Sequence, residues 1–130
     1  MPQPPLHGLR VIETATGISG PFAGRLLASL GAHVVKVEPA DGDPARLQPV
    51  DDTPLAEGEL SPLYIHLNAG KLNVKPDDID PSWADVVIAG DVLADLADTK
   101  WDPARLRSHD TRLVTTTAWG ANSPDAGCIA

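Results

Sequence analysis

The strongest constraint on the fold lies near the start of the chain, where two apolar, β-branched segments flank a helical one. "LRVIET" (residues 9–14) and "HVVKVEP" (residues 33–39) have the composition of buried strands. Between them, "PFAGRLLASLGA" (residues 21–32) opens with a proline, which suits the first turn of a helix. Its large apolar side chains repeat at helical spacing: Phe22, Leu26, Leu27 and Leu30. This order predicts a βαβ unit with parallel strands and a right-handed crossover.

The rest of the chain continues to alternate strands and helices. Four further elements are predicted: strands at residues 84–90 and 111–120, and helices at residues 62–68 and 102–108. "KLNVK" (residues 71–75) is a possible short strand, and the acidic, proline-rich residues 40–62 are expected to form a long surface loop. We therefore expect a single domain over residues 1–130, of the α/β class, with an open, mainly parallel sheet and flanking helices.

Charge and cysteine content narrow the range of partners. The net charge of −8 disfavours nucleic acid and anionic membranes, because binding to phosphate-rich surfaces needs a basic excess. No apolar run is long enough to span a bilayer, and the four histidines lack metal-ligand spacing, so neither a membrane nor a metal is expected. With Cys128 as its one cysteine the chain cannot form an internal disulfide, and a reducing cytoplasm is the expected location.

The turn "TGISGP", between the first strand and the first helix, has two interpretations. Gly17 and Gly20 either allow a tight turn or let backbone N–H groups approach an anion at the positive end of the helix. The spacing is neither the G-x-G-x-x-G of dinucleotide sites nor a P-loop, which needs Gly-Lys-Ser/Thr. Glu38 ends the second strand, at a position where a ribose-binding acid could lie. A dinucleotide site is nevertheless the less favoured interpretation of this turn. Both interpretations of the turn remain open at this point.

A longer stretch resembles a known family. The segment "LHGLRVIETATGISGPFAGRLLASLGAHVVKVEPADGDPAR" (residues 6–46) closely resembles the opening of the class III CoA-transferases, which include formyl-CoA transferase, carnitine CoA-transferase and α-methylacyl-CoA racemase. Shorter pieces are similar in the same order: "LYIHLNAGKLNV", "WADVVIAG" and "RLVTTTAWGANSP". The resemblance covers nearly the whole chain, closely up to Arg46 and more loosely beyond it.

The resemblance implies a Rossmann-like domain that binds coenzyme A or an acyl-CoA as substrate. In the family, the turn that matches Gly17, Ile18, Ser19 and Gly20 lies along CoA, largely through its backbone. The segments that contain Asn68, Lys71 and Gly90 are expected to line the rest of the groove. These seven residues are the predicted CoA-binding residues of this chain.

Several positions depart from the family pattern. "AGDVLADL" (residues 89–96) lacks the aromatic residue, the arginine and the Pro-Gly pair that relatives carry there. Pro39 stands where an arginine is common, and Lys71-Leu72 replaces a Lys-Arg pair. These departures weaken three expected contacts with phosphate or adenine.

The resemblance assigns no catalytic residue to this chain. The transferases of the family use an aspartate that forms a mixed anhydride, and the racemases use an aspartate and a histidine. Both sites lie beyond the segment like "AWG", and Asp125 in the tail is not assigned that role. The chain is thus expected to be the CoA-binding amino-terminal part of an acyl-CoA transferase or racemase, whose catalysis needs sequence absent here.

The expected partner is a second copy of the chain, as a homodimer, or the missing carboxy-terminal portion of the family chain. The alternative function is a non-catalytic α/β module that has lost CoA binding and serves assembly or a fused partner domain. The sequence does not specify the acyl group, or whether the chemistry is transfer or racemisation.

Overall fold

The described part of the chain forms a five-stranded parallel sheet in strand order β3-β2-β1-β4-β5. The computed structural model describes residues 1–90 and 96–116. The strands are β1 (Arg10–Glu13), β2 (His33–Val37), β3 (Leu72–Val74), β4 (Val86–Ala89) and β5 (Arg112–Thr115). All four strand pairings are parallel, so the predicted open α/β sheet is confirmed.

Three α-helices lie within the described residues: α1 (Ser19–Ser29), α2 (Pro62–Asn68) and α3 (Pro103–Ser108). The two short helices begin at prolines, and each is preceded by a capping side chain. Ser61 accepts from the Leu63 N–H at 3.1 Å, and Asp102 accepts from the N–H groups of Ala104 and Arg105. The predictions for α2 and α3 are therefore confirmed, and α1 starts two residues before the predicted Pro21.

β1 is the central strand of the sheet. At this strand the chain changes the side of the sheet to which it adds further strands, although all the strands are parallel. From β1 the chain adds β2 and then β3 on one side, and afterwards crosses over to add β4 and β5 on the other. Ile12 of β1 pairs with Val35 of β2 and with Val87 of β4. In open α/β sheets a ligand crevice forms at such a change of side, outside the carboxyl ends of the strands.

Two hydrophobic clusters cover the two faces of the sheet. One contains Val11, Ala15, Ala32, Val34 and Ile88, with Ala23, Leu27 and Ala28 of α1 packed against it. The other contains Ile12, Val37, Ala84, Val87 and Leu106, the last of which belongs to α3. Successive residues of β1 thus point to opposite faces, as the period of a strand requires, and both faces of the central strands are buried.

The apolar stripe predicted on α1 does not all face the sheet. Ile18, Phe22, Leu26 and Leu30, four residues apart, are 57%, 43%, 49% and 45% exposed, and we call them the α1 apolar face. The buried residues of α1 are Gly20, Pro21 and Gly24. Because these are small or compact, the helix can approach the strands closely; Leu27 packs against the sheet, and the α1 apolar face points outward.

The segment of residues 40–62 is only partly the surface loop expected from its composition. A 3-10 turn at Pro44–Leu47 interrupts it, and Asp43, Ala45 and Ser61 are buried. The Ser61 N–H donates to the Arg46 carbonyl at 2.8 Å, which joins the two ends of the segment. Ion pairs with buried residues hold this loop against the rest of the fold, and no local sequence pattern indicates them.

In the described residues, no helix has both the length and the apolar character needed to cross a bilayer.

Candidate functional site

A cleft of about 430 Å³ opens at the carboxyl ends of the strands. All five strands contribute to its lining: Thr14 and Thr16 follow β1, Glu38 follows β2, Pro76 follows β3, Gly90 follows β4 and Thr116 follows β5. Ser19 adds the first residue of α1, and Pro39 and Trp101 add apolar surface. The cleft therefore lies where the strand order predicts a ligand site.

The turn between β1 and α1 forms one wall of the cleft. The N–H groups of Thr14 and Ala15 donate to the Ile88 carbonyl at 2.9 and 3.3 Å, which fixes the start of the turn to β4. The helix then begins after Ile18, which supplies no side-chain cap. Backbone N–H groups at the start of an uncapped helix can bind an anion, because they have no acceptor within the helix and lie at its positive end.

The two glycines of the turn are required for different structural reasons. Gly17 has a φ of +78°, a conformation that other residues adopt only with strain. A Cβ at Gly20 would lie 2.3 Å from the Cβ of Ala15, so only glycine allows α1 to pack against the turn. The turn itself therefore requires both glycines, and their contact with CoA stays a prediction.

Glu38 is fully engaged within the protein. Its carboxylate accepts from the Arg46 guanidinium at 2.7 and 2.8 Å, from the Asp43 N–H at 3.0 Å, and from the side chains of Tyr64 and Asn73. Burial by itself would raise the pKa of Glu38, but these hydrogen bonds outweigh it and lower the pKa to about 2. Burial and the Glu38 hydrogen bond raise the pKa of Tyr64 to about 12. Glu38 thus has a structural role and is not free to bind a ribose.

Beneath the turn lies a group of four buried charges that we call the buried charge cluster: Glu13, Lys36, Asp43 and Lys71. The Glu13 carboxylate contacts the ammonium groups of Lys36 at 3.1 Å and of Lys71 at 2.7 Å, and Asp43 contacts Lys36 at 2.9 Å. All four side chains are at most 1% exposed. Two carboxylates and two ammonium groups balance, which is what makes burial of this much charge tolerable.

Both lysines of the cluster also donate to main-chain carbonyls. Lys36 donates to the Ala15 carbonyl at 2.9 Å, and Lys71 donates to the Pro21 carbonyl at 2.7 Å and to the Asn68 side chain at 3.0 Å. Burial lowers the pKa of Lys71, and the charge of Glu13 opposes that effect. For Glu13, Lys36 and Lys71 the sequence gives one signal, a charged residue inside or next to an apolar strand, and this signal does not specify their partners; for Asp43, in the loop, it gives none.

The structure separates the predicted site residues into two groups. Ser19 and Gly90 line the cleft, and the turn residues Gly17, Ile18 and Gly20 adjoin Ser19 in the chain. Asn68 and Lys71 do not line the cleft. Lys71 belongs to the buried charge cluster, and its ammonium donates to Glu13, to the Pro21 carbonyl and to the Asn68 side chain. Their contact with CoA, like that of the other five, stays a prediction.

Some predicted features lie outside the described residues. These are most of "AGDVLADL", the end of the strand at residues 111–120, Asp125 and Cys128. Within residues 1–90 and 96–116, no three side chains of the His, Cys, Asp or Glu type come together as metal ligands.

Comparison with known proteins gives one consistent family. The model of CoA-transferase family III matches residues 6–130. A succinate–glutarate CoA-transferase of Agrobacterium fabrum is 37% identical over 95% of this chain, which covers 35% of that protein. A probable fatty acyl-CoA transferase of Mycobacterium tuberculosis is 31% identical over 95% of this chain, which covers 34% of it.

Solved structures agree with the sequence comparison. The crystal structure of a CAIB/BAIF family protein from Brucella suis superposes with a TM-score of 0.78 at 32% identity, over 96% of this chain and 36% of the other. A Mycobacterium tuberculosis protein superposes with a TM-score of 0.77 at 29% identity, over 97% of this chain and 38% of the other. The chain thus spans about a third of the length of the relatives it matches.

Proposed function

Because the chain belongs to CoA-transferase family III, we propose that it is the CoA-binding amino-terminal part of an acyl-CoA transferase or racemase. The observation that carries this proposal is the cleft at the carboxyl ends of all five strands, beside the uncapped start of α1. Its volume of about 430 Å³ lies in the range of small-molecule sites. The CoA thioester is the proposed ligand of this cleft.

The lining of the cleft suggests how the ligand is held. No lysine or arginine is among the described residues that line it, and its one carboxylate, Glu38, is already paired. Phosphate oxygens would therefore be bound by backbone N–H groups and by hydroxyls such as those of Ser19 and Thr16. The apolar surface of Pro76 and Trp101 suits the adenine ring or the pantetheine arm of the ligand.

Catalysis is proposed to need sequence that corresponds to the remaining two thirds of the relatives. Glu38 is the one carboxylate among the described residues that line the cleft, and its ion pair with Arg46 leaves it unavailable as a nucleophile. When CoA transfer passes through a covalent intermediate, a free enzyme carboxylate attacks the thioester carbonyl, CoA leaves as its thiolate and a mixed anhydride remains on the enzyme. Because the described lining of the cleft offers no free carboxylate, we propose that this group comes from sequence that corresponds to the remaining two thirds of the relatives.

The α1 apolar face is the proposed contact with that remaining sequence. Its four large apolar side chains lie in one row along α1 and are 43–57% exposed. Such a row is unusual on the surface of a monomer and indicates a covered face. This chain spans 35% and 34% of two relatives, and the sequence that corresponds to the rest of those relatives is the proposed occupant of the face.

A cytoplasmic location stays a prediction from the single cysteine.

A charged residue in the α1 apolar face should abolish this contact. We expect the chain to co-purify with the remaining two thirds of the Agrobacterium relative, expressed as a separate polypeptide. Leu26→Glu should abolish co-purification, because a buried unpaired carboxylate is costly, whereas Thr53→Glu in the exposed loop should not. A dimer of the chain alone in sedimentation velocity, dissociated by Leu26→Glu, would instead assign the face to a second copy.

Titration calorimetry of the chain with CoA and acetyl-CoA tests the proposed ligand. We expect micromolar binding, weakened at least about tenfold, or about 1.4 kcal/mol, by Gly90→Val. Gly90 is the suitable position because a Cβ there meets its nearest neighbours at 3.7–3.9 Å, one of them the Thr16 nitrogen. The fold can therefore accept a side chain at this position, which would occupy the cleft.

Ala104→Val is the matched control, since Ala104 is exposed, lies on α3 outside the cleft and is in none of the predicted CoA-binding segments. It should bind CoA as the parent does. If the folded parent gives no heat up to millimolar CoA, the chain is either the non-catalytic module or binds CoA only together with the remaining sequence of the family chain. Equal binding by the parent and Gly90→Val would move the site away from the cleft.

A further inference from the structure

The buried charge cluster has more contacts than charge balance requires. The Lys36 ammonium contacts Glu13 at 3.1 Å and Asp43 at 2.9 Å, and its side chain is 1% exposed. It also donates to the Ala15 carbonyl at 2.9 Å. Ion pairs buried to this degree contribute little net stability compared with apolar residues of the same volume. The contact with Ala15 therefore suggests a role beyond stability.

The Ala15 carbonyl belongs to the peptide that joins Ala15 to Thr16 in the wall of the cleft. In a trans peptide the C=O and the N–H point in opposite directions. Since the carbonyl points to Lys36 in the interior, the N–H of Thr16 points away from it. The position of Gly90 agrees, because a Cβ on this cleft residue would lie 3.9 Å from the Thr16 nitrogen.

We propose that Lys36 is a positioning residue that orients the N–H of Thr16 into the cleft as a hydrogen-bond donor. The inference rests on the proposed function, in which an oxygen of the CoA thioester accepts this hydrogen bond. The ammonium fixes the peptide from below, and Glu13 and Asp43 fix the ammonium. A donor that is oriented before the ligand arrives costs less to order on binding.

The neutral double variant Lys36→Met/Asp43→Asn separates positioning from stability. It removes one ammonium and one carboxylate, so that the Glu13–Lys71 pair remains balanced at 2.7 Å. The control, Arg10→Met/Asp85→Asn, likewise removes one balanced pair, joined at 2.8 Å at the other end of β1, and keeps the buried charge cluster and the Lys36 contact with Ala15. Both are compared with the parent by amide chemical shifts and amide hydrogen exchange, and by titration with CoA.

We expect the Thr16 amide resonance to shift and the Ala15 amide to exchange at least about tenfold faster in Lys36→Met/Asp43→Asn. CoA binding should weaken at least about tenfold. The control variant should keep the parent values at both amides, and the amide of Thr116, bonded to Ala89 at 2.9 Å, should not change in either. An unchanged Thr16 resonance in a folded Lys36→Met/Asp43→Asn variant would overturn the inference, as would a shifted resonance with unchanged CoA affinity.

The amide measurements decide the orienting role even if the parent does not bind CoA, in which case it is the proposed function that fails. If Lys36→Met/Asp43→Asn does not fold, Lys36→Arg takes its place, because it keeps the charge but moves the donor. A Thr16 resonance unaffected by Lys36→Arg would equally count against the inference.

Discussion

Replacing Lys36 by methionine should cost about 3–5 kcal/mol of the free energy of unfolding. The substitution leaves the carboxylates of Glu13 and Asp43 buried with only Lys71 as a countercharge, and the Ala15 carbonyl loses its donor. A loss of this size is a large part of the stability of a small domain. Urea unfolding followed by circular dichroism measures it.

Lys75→Met is the matched control. Lys75 directly follows β3, the neighbour of the strand that contains Lys36, but it is exposed. It should change the free energy of unfolding by less than about 0.5 kcal/mol. Adding Asp43→Asn to Lys36→Met should recover part of the loss by restoring the balance of charge. Equal midpoints for Lys36→Met and Lys75→Met would show that the cluster is hydrated in solution.

Acidification should destabilise the chain through Glu38. The folded chain keeps this carboxylate ionised down to a pKa of about 2, whereas the unfolded chain takes up a proton near the ordinary value of 4.5. Below pH 4.5 the unfolded state therefore binds more protons, and stability falls as the pH falls towards 2. At 1.36 kcal/mol per pH unit, the complete effect is about 3 kcal/mol.

Urea unfolding at intervals between pH 7 and pH 2 tests this expectation in the parent and in Glu38→Gln. The difference in stability between the two should shrink as the pH falls below 4.5. Asp85→Asn is the control, since Arg10 lowers the pKa of Asp85 to about 2 as well, but that pair is 45% and 41% exposed and screened by water. If Asp85→Asn changed the pH dependence of the free energy of unfolding as much as Glu38→Gln does, burial would not explain the effect of Glu38.

Glu38 also shows why a resemblance in position does not establish a role. From the sequence alone, an acidic residue at the end of a second strand is compatible with a role in ribose binding. In the structure, a residue eight positions later, Arg46, and one 26 positions later, Tyr64, both donate to it. The partners come from a loop and a helix whose return to the strand no local pattern indicates.

Lys71 was predicted from the family resemblance, and its position adds a second lesson. Its ammonium reaches Glu13, 58 residues earlier in the chain, and the Pro21 carbonyl, 50 residues earlier. A lysine beside a glycine at the end of a helix could equally have faced the solvent. Only the pairing of β2 with β3 brings this segment under α1, and the contact with CoA predicted for Lys71 stays a prediction.

The sequence by itself determined the elements and their order. β-branched runs, prolines at the first turns of α2 and α3, and the capping residues Ser61 and Asp102 act over a few positions, so their effect can be read locally. Tertiary structure decided which charges are buried, which face of α1 remains exposed, and which side chains line the cleft. Each of these depends on groups far apart in the chain, because burial and ion pairing arise only when distant segments meet.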